Sequence, residues 1–223
     1  MKRISQTEEN YLKAIYKISE KKGKAASTNE ISREIQISAA SVTDMFKRLS
    51  EKELIDYQKH KGVKLTPKGN QIATNLVRKH RLWEVFLVEK LNFDWAEVHD
   101  IAEELEHINS DKLIDRLDKY LDHPKFDPHG DPIPDAKGNF EHRVQIPLAD
   151  LEVGQKGVVV GVQEHSAAFL EYLDRLNLGL GSSITVLEIF DFDQSLRVVV
   201  NEEKEFTLTA KVAINLFIQV RDE

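Results

Sequence analysis

The chain has 223 residues, a net charge of −7 at pH 7 and no cysteine. This length allows two or three small domains with their own cores, and the absence of thiols excludes disulfides and thiolate chemistry. The chain shows no signal peptide and no apolar run near the roughly 18 residues of a membrane span. We therefore expect a soluble, cytoplasmic protein with no membrane partner.

The acidic average hides an asymmetry along the chain. Residues 1–68 carry 15 Lys+Arg and 9 Asp+Glu, a balance of +6, whereas residues 69–140 and 141–223 have balances of −6 and −7. Because clustered cations attract polyanions, a nucleic acid is expected to meet the first third of the chain.

Three helices are predicted in this basic region, and the second and third of them are short and close together. Apolar spacing predicts a helix over residues 5–21, and cap residues open further helices over 30–35 and 39–49. The order helix, tight turn, helix outlines a helix-turn-helix. Small and hydroxylated residues at the front of the second helix suit base edges, and later cations suit phosphates. The predicted DNA contacts here are Ser27, Ser38, Ala39, Ala40, Ser41, Thr43, Lys47 and Arg48.

A β-hairpin with a basic tip is predicted over residues 55–66, with its turn at Gly62. Such a hairpin directly after a helix-turn-helix is typical of the wing of a winged helix. The alternative is an ordinary three-helix domain with solvated lysines, but the charge asymmetry favours DNA binding. The predicted contacts of the wing with DNA are Lys59, His60, Lys61 and Lys64.

A predicted helix in the middle of the chain carries potential metal ligands. Within a helix expected to run to residue 108, His99, Glu103, Glu106 and His107 share one sector, because their spacings are i, i+4, i+7 and i+8. Ligands spaced like the last three can converge on one first-row metal ion. The alternative is a solvated face that happens to contain histidine.

Further ligand-type residues favour the metal interpretation. His80 and Glu84 lie one turn apart on a long helix predicted over 67–91. A proline-rich loop or linker is predicted over 123–139, and its Asp127 and His129 are also placed to reach a metal. A third helix is predicted over 112–120. Three short amphipathic helices leave an apolar face uncovered, which predicts a homodimer built on residues 69–122.

The periodicity changes after residue 146. Short β-branched runs over 157–162, 184–187, 196–200 and 206–208, with one helix over 167–176, predict a small β-barrel.

The whole chain resembles the diphtheria toxin repressor and manganese transport regulator family of metal-dependent repressors. The matching motifs are Thr7-Glu8-Glu9-Asn10-Tyr11-Leu12, Arg78-Lys79-His80-Arg81-Leu82-Trp83-Glu84, Val98-His99-Asp100, Glu103-x-x-Glu106-His107 and Pro128-His129-Gly130. Residues 146–221 resemble the SH3-like domain related to ferrous iron transport protein A. The resemblance implies a fold that is mainly α with a β C-terminal domain. It comprises a winged helix-turn-helix over 1–68, a helical dimerisation and metal-binding domain with its linker over 69–140, and an SH3-like β-barrel over 141–223.

The resemblance also implies metal ligands. The primary site would use Asn10, Glu103, Glu106 and His107, and an ancillary site would use His80, Glu84 and His99 with residues of the last domain. Glu164 and His165 lie where the family supplies those last ligands, and in some relatives the second site instead uses the loop of Asp127 and His129. Two departures stand out. Asn10 replaces the Met of the iron branch or the Asp of the manganese branch, and Lys13 replaces a Glu of the two-metal manganese site, which disfavours that paired arrangement.

The predicted function is therefore a repressor, not an enzyme, that binds an inverted-repeat operator in double-stranded DNA and controls metal-ion homeostasis. Oxygen-rich ligands without sulfur favour Mn(II). An Fe(II)-responsive repressor is the alternative within the family. A metal-dependent hydrolase built on the His/Glu sector, and a metal-independent DNA-binding protein in which that sector is structural, are the alternatives outside it.

Overall fold

The computed structural model describes residues 4–59 and 61–221. It divides into two compact units, each made of several chain segments. The first unit consists of Met1–His80, Glu103–Ile114 and Pro134–Phe140, and the second of Arg81–Ala102, Asp115–Ile133 and Glu141–Glu223. As predicted, the structure is mainly helical, and the C-terminal part of the chain forms an antiparallel β-sheet.

The first unit begins with three helices, which the sequence predicted within two residues at each end. They are α1 Gln6–Lys22, α2 Thr28–Glu34 and α3 Ala39–Glu51. Ser5 and Ser27 each form a capping box with a glutamate three residues later, and the Ser38 hydroxyl accepts from the amide of Ser41. These caps satisfy amides that the helix itself leaves unbonded. The helices enclose a core that includes Leu12, Ile15, Ile31, Phe46 and Leu49.

The predicted wing is present in the first unit. Strands β1 Ile55–Gln58 and β2 Gly62–Leu65 pair antiparallel. Ala26, just before α2, exchanges both backbone hydrogen bonds with Val63, at 3.1 and 2.8 Å. Gly62 has φ +95°, and an added Cβ would lie 2.6 Å from the carbonyl oxygen of Ala26. The wing therefore needs glycine at this turn, because only glycine tolerates both the dihedral angle and the close approach.

Three further helices follow, namely α4 Pro67–Leu91, α5 Val98–Leu105 and α6 Asp111–Tyr120. The prediction that the middle helix runs to residue 108 was wrong. The amide of Ile108 donates to the carbonyl of Leu105 in a tight turn, which contains Glu106 and His107. Both side chains have partners on other elements, and those tertiary contacts outweigh the local helical pattern.

The second unit contains a six-stranded antiparallel sheet in the order β3-β8-β4-β5-β6-β7. Its elements are β3 Ile146–Pro147, a 3-10 turn at Leu148–Asp150, β4 Lys156–Val162, α7 Ala167–Arg175, β5 Ser183–Ile189, β6 Leu196–Val200, β7 Lys204–Leu208, α8 Ala210–Ala213 and β8 Leu216–Val220. Leu170 and Leu173 of α7 and alternate strand residues such as Val186 and Val198 form its core. Strand β8, which the sequence analysis missed, lies between β3 and β4.

The loop over residues 123–139 was predicted correctly as a segment without regular structure, and its first part is fixed within the second unit. Phe126 bridges to Pro132, and the carbonyl of His129 accepts from the amide of Val162 at 2.9 Å. Gly130 has φ +89°, and an added Cβ would lie 2.2 Å from the carbonyl oxygen of Val160. The close approach of this loop to β4 holds the neighbouring side chains in place. In the described part of the chain, no helix is long and apolar enough to cross a membrane.

Candidate metal centres and DNA-binding surface

The second unit brings three predicted ligands together. Glu84 on α4 and the loop residues Asp127 and His129 each offer a ligand atom, and these atoms lie within 4.8 Å of one another. All three residues are buried. We call this group the loop cluster.

The ring of His129 is held in one orientation. Its Nε2 lies 2.8 Å from the carbonyl oxygen of Trp95, and since a carbonyl only accepts, Nε2 carries the proton. The Nδ1 lone pair then faces Glu84, whose Oε1 is 3.8 Å away. Burial lowers the pKa of His129, which favours the neutral, ligating form. The rings of Trp95 and His165 stack on the imidazole, with centroids at 6.0 and 5.0 Å.

Asp127 is equally constrained. Its Oδ1 accepts from the amides of His129 and Asp131, both at 2.9 Å, and its Oδ2 lies 3.4 Å from Nε of Arg81. Burial raises the pKa of Asp127 well above its usual value, and the nearby carboxylates of Asp131 and Glu84 add to the shift. Two buried carboxylates and a neutral imidazole with a free lone pair form a donor set that fits a divalent cation.

The other residues predicted for the second site are placed less uniformly. His99 Nδ1 lies 3.4 Å from Oε1 of Glu84, although 38% of the His99 side chain is exposed. His165 is half-buried beside His129, and its Nε2 lies 3.2 Å from the carbonyl oxygen of Val162. Glu164 is exposed, and its Oε1 accepts from the amide of Ser166, so this carboxylate is not brought into the loop cluster.

The first unit contains a different cluster of charge. The ammonium Nζ of Lys13 lies 2.5 Å from Oε2 of Glu106 and 3.3 Å from Nδ1 of His80. Nδ1 of His80 is itself 2.6 Å from the same carboxylate oxygen, so it donates its proton to Glu106. The side chains of Lys13, His80 and Glu106 are 6%, 6% and 1% exposed. We call this group the lysine cluster.

Glu106 remains ionised in this setting. Burial by itself would raise its pKa, but the hydrogen bond from His80 and the charge of Lys13 outweigh burial and hold the pKa below its usual value. Glu103, which is half-exposed, adds a carboxylate oxygen 3.5 Å from the Lys13 ammonium. The cluster therefore contains a cation supplied by the chain itself.

His107 faces the other oxygen of Glu106. Its Nε2 lies 3.9 Å from Oε1 of Glu106, and its Nδ1 lies 2.7 Å from Oε2 of Glu9. Because a carboxylate only accepts, Nδ1 carries the proton and the lone pair is on Nε2. The sequence analysis missed Glu9 as a functional candidate, although its position four residues before Lys13 places both side chains on one face of α1.

Asn10 is exposed and lines a cavity of about 270 Å³ together with Lys13, Lys17 and Glu103. Among the described residues, Glu103, Glu106 and His107 do not bring their ligand atoms within 4.8 Å of one another. The donors that fit a divalent ion here are Oε1 of Glu106 and Nε2 of His107, with Glu103 and Asn10 beside the cavity.

The predicted DNA-binding residues lie mostly on the surface. Lys47 and Arg48 are exposed, and so are Lys59, Lys61 and Lys64 of the wing. The remaining exposed predicted contacts are Ser27, Ser38, Ala39, Ala40 and Ser41. Thr43 is half-buried and its hydroxyl donates to the carbonyl of Ala39 at 2.9 Å. The predicted contact His60 lies outside the described residues.

Comparison with known proteins agrees with this combination of a winged helix, two clusters of ligand-type residues and a β region. Residues 3–63 match the family described as "Iron dependent repressor, N-terminal DNA binding domain". Residues 66–135 match "Iron dependent repressor, metal binding and dimerisation domain", and residues 146–220 match the "FeoA domain".

Individual proteins give the same result. The diphtheria toxin repressor of Corynebacterium jeikeium is 33% identical over 134 residues, which cover 60% of this chain and 55% of that protein. An uncharacterised HTH-type transcriptional regulator of Methanocaldococcus jannaschii is 32% identical over 119 residues, 53% of this chain and 95% of that one. A solved structure titled "Manganese-dependent transcriptional repressor complex with manganese" superposes with a TM-score of 0.87 at 33% identity, covering 96% of this chain and 99% of that chain.

The fold is that of a winged-helix protein, and its helical region matches a family of metal-binding and dimerisation domains. The chain belongs to the iron-dependent repressor family, which includes the diphtheria toxin repressor. The three relatives described above are transcriptional regulators, not enzymes, as the sequence predicted. The chain spans only 55–58% of the length of several curated relatives.

Proposed function

We propose that this chain is a transcriptional repressor of metal-ion homeostasis that binds DNA as a homodimer when divalent metal is bound. The main supporting observation is the loop cluster, in which Glu84, Asp127 and His129 place buried ligand atoms within 4.8 Å of one another. Burying two carboxylates beside Arg81 leaves negative charge that a divalent ion would balance. The names of the similar proteins, a diphtheria toxin repressor and a manganese-dependent repressor, support the same function.

We assign two metal sites to these residues. The first comprises Glu106, His107, Glu103 and Asn10, and the second comprises the loop cluster with His99 beside Glu84. A bound ion would add positive charge to that of Lys13 and Arg81, which already face Glu106 and Asp127. Because α1 belongs to the DNA-binding helices, ligands drawn from α1 and from the turn after α5 couple metal binding to the position of α3. His80, Glu164 and His165 stay predicted ligands, and the ring of His165 stacks on that of His129.

Mn(II) is the proposed activating metal, and Fe(II) is the alternative. The assigned donors are carboxylate and amide oxygens with imidazole nitrogens, and the chain has no cysteine to favour softer ions. The manganese-bound solved relative favours the same choice. Operator binding measured anaerobically, with each free metal buffered in turn, distinguishes the two ions. Activation by Fe(II) at much lower free concentration than Mn(II) would overturn the manganese assignment.

The proposed operator is an inverted repeat that a homodimer reads with two copies of α3. Two recognition helices on one face of B-DNA are spaced by about 34 Å. Exposed apolar side chains in the second unit, Leu91, Phe93 and Tyr120, support burial against another copy. Sedimentation showing a monomer at micromolar concentration would contradict the dimer.

Operator binding tests the proposal directly. Duplexes that bind the full chain with Mn(II) are selected from a pool of random DNA sequences. The affinity of the protein for the selected duplexes is then measured with Mn(II) and with chelator. We expect binding only with metal. Equal binding with chelator would support the metal-independent alternative, in which the His/Glu residues are structural.

Paired variants assign the DNA contacts. Lys61→Ala and Lys64→Ala should weaken all sequences similarly and lower the salt slope by about one unit per lost phosphate contact. Ser41→Ala should instead change which sequences bind, because its hydroxyl is placed at the front of α3. Lys156→Ala, an exposed change on β4, is the control with no expected effect. The same effect from wing and helix variants would refute the division into backbone and base contacts.

A further inference from the structure

The ammonium group of Lys13 is unusually placed for a lysine. Lysine is almost never fully buried without a partner, yet Lys13 is 4% exposed. Its Nζ lies within 3.5 Å of two carboxylate oxygens, Oε2 of Glu106 and Oε1 of Glu103. Nδ1 of His80 lies 3.3 Å away and donates its proton to the same Oε2 of Glu106. Carboxylate oxygens arranged around one point are the surroundings expected of a cation.

Counting charges around this point limits what else can bind. The carboxylates of Glu9, Glu34, Glu103 and Glu106 carry four negative charges, and Lys13 and Lys17 supply two positive charges. One divalent ion then makes the set neutral. A second divalent ion would leave an excess of two positive charges in a largely buried region, which is costly.

The two carboxylate oxygens of Glu106 face different groups, which also leaves room for only one divalent ion. Oε2 is occupied by Lys13 and His80, whereas Oε1 faces Nε2 of His107 at 3.9 Å. The ion assigned above to Glu106 and His107 can use Oε1 without displacing the ammonium.

We propose that the Lys13 ammonium permanently occupies the cation position at Oε2 of Glu106 and leaves only the position at Oε1 for a divalent ion. The region therefore accepts a single divalent ion, and Lys13 holds Glu106 and His80 in place when no metal is bound. The inference deepens the proposed function, on which its metal-counting part rests. Lys13 thereby determines the number of ions that the region takes and lowers its dependence on metal for local order.

Substitution of Lys13 gives two separate readouts with full-length, chelator-treated protein. Lys13→Glu changes the local charge by −2, the charge that one more divalent ion would balance, and it supplies a new carboxylate ligand. Titration with Mn(II), followed by the six-line electron paramagnetic resonance signal of free Mn(II), should show about one additional ion per chain. The two ions sharing Glu106 should also give a spin-coupled spectrum that the wild type lacks.

Lys13→Met tests the holding role without metal. Leaving the buried Glu106 carboxylate without its ammonium partner should lower the Tm in chelator by roughly 5–10 °C, with no change in the number of ions bound. Lys13→Arg keeps the charge and should keep the wild-type count. Lys21→Glu, at an exposed position on α1, has the same charge change as Lys13→Glu and should add no ion.

The outcomes are distinguishable. An unchanged ion count in folded Lys13→Glu, or two coupled ions in the wild type, would overturn the occupied position. An unchanged Tm of Lys13→Met in chelator would overturn the holding role. If the wild type binds no Mn(II) at all, the proposed function fails, and the Tm of Lys13→Met still decides whether the ammonium holds the cluster.

Discussion

Glu106 in the first unit and Glu84 in the second are nearly fully buried carboxylates, with side chains 1% and 3% exposed, and each faces a histidine. Their surroundings differ in charge. Glu106 has the Lys13 ammonium at 2.5 Å, whereas Glu84 shares its pocket with a second buried carboxylate, Asp127. In the lysine cluster one ammonium directly contacts one buried carboxylate, whereas in the loop cluster two buried carboxylates share a neighbouring cation, Arg81, whose Nε lies 3.4 Å from Asp127. Similar ligand-type residues can therefore form either a structural ion pair that needs no metal or a site whose order depends on a bound ion.

The largest loss of stability is expected when the Lys13–Glu106 ion pair is broken. Glu106→Gln removes the buried carboxylate from the Lys13 ammonium and leaves only the half-exposed Glu103, at 3.5 Å. Breaking a buried pair typically costs about 3 kcal/mol or more. The Tm in chelator should fall by roughly 6–12 °C. Glu104→Gln, an exposed carboxylate two residues away, is the matched control and should change little. If both variants melted together with the wild type, the cation of the lysine cluster would have no structural role.

In the loop cluster, removing a carboxylate is expected to raise the Tm in chelator instead of lowering it. Asp127→Asn removes a buried charge close to Glu84, while Asn Oδ1 still accepts the amides of His129 and Asp131 and Arg81 keeps its pair with Asp131 at 2.9 Å. The Tm in chelator should rise by a few degrees, equivalent to about 1 kcal/mol. The stabilisation that Mn(II) gives through this site should be lost.

Thermal melts with and without Mn(II) measure both effects. Asp122→Asn, an exposed carboxylate earlier in the same loop, is the control. A lower Tm of Asp127→Asn in chelator would mean that the loop cluster is already balanced without an ion, and the contrast between the clusters would disappear.

Local patterns predicted much of this architecture because their causes are local. Cap residues such as Ser27 and Ser38 and the apolar spacing along α1 and α4 depend only on near neighbours, and those helices start and end close to the predicted residues. All eight residues assigned to the two metal centres were predicted through spacing or family resemblance, and the resemblance also marked Lys13 as a departure.

Long-range contacts explain what was missed. Lys13 meets Glu106 across 93 positions, and His107 meets Glu9 across 98. No periodicity in one segment reveals such partners, so the sequence could flag Lys13 but could not place its ammonium on Glu106. The same contacts end α5 at Leu105, where helical spacing predicted three more residues. Strand β8 was missed for a related reason, since its pairing with β3 and β4 joins segments far apart in the chain.

The smallest expected effect concerns how each histidine is oriented. In the loop cluster a backbone carbonyl, that of Trp95, fixes the proton of His129 on Nε2. In the first unit a side chain performs the same task, because Glu9 accepts from Nδ1 of His107 at 2.7 Å and leaves Nε2 for a metal. Partners of this kind typically change metal affinity by about 10-fold or more when they are mutated.

Glu9→Gln keeps an acceptor oxygen for Nδ1 but removes the charge that makes the imidazole a stronger donor. The affinity of the first site for Mn(II) should fall about 10-fold, the low end of the range for such partners, while the Tm in chelator changes little because the side chain is partly exposed and Lys13 still pairs with Glu106. Calorimetric titration of the Asp127→Asn background isolates this site from the loop cluster. Glu8→Gln is unsuitable as a control, since Glu8 caps α1 and pairs with Lys52, whereas Glu20→Gln changes an exposed carboxylate of α1. An affinity unchanged by Glu9→Gln would show that His107 is oriented by its own turn and would leave Glu9 with no part in metal binding.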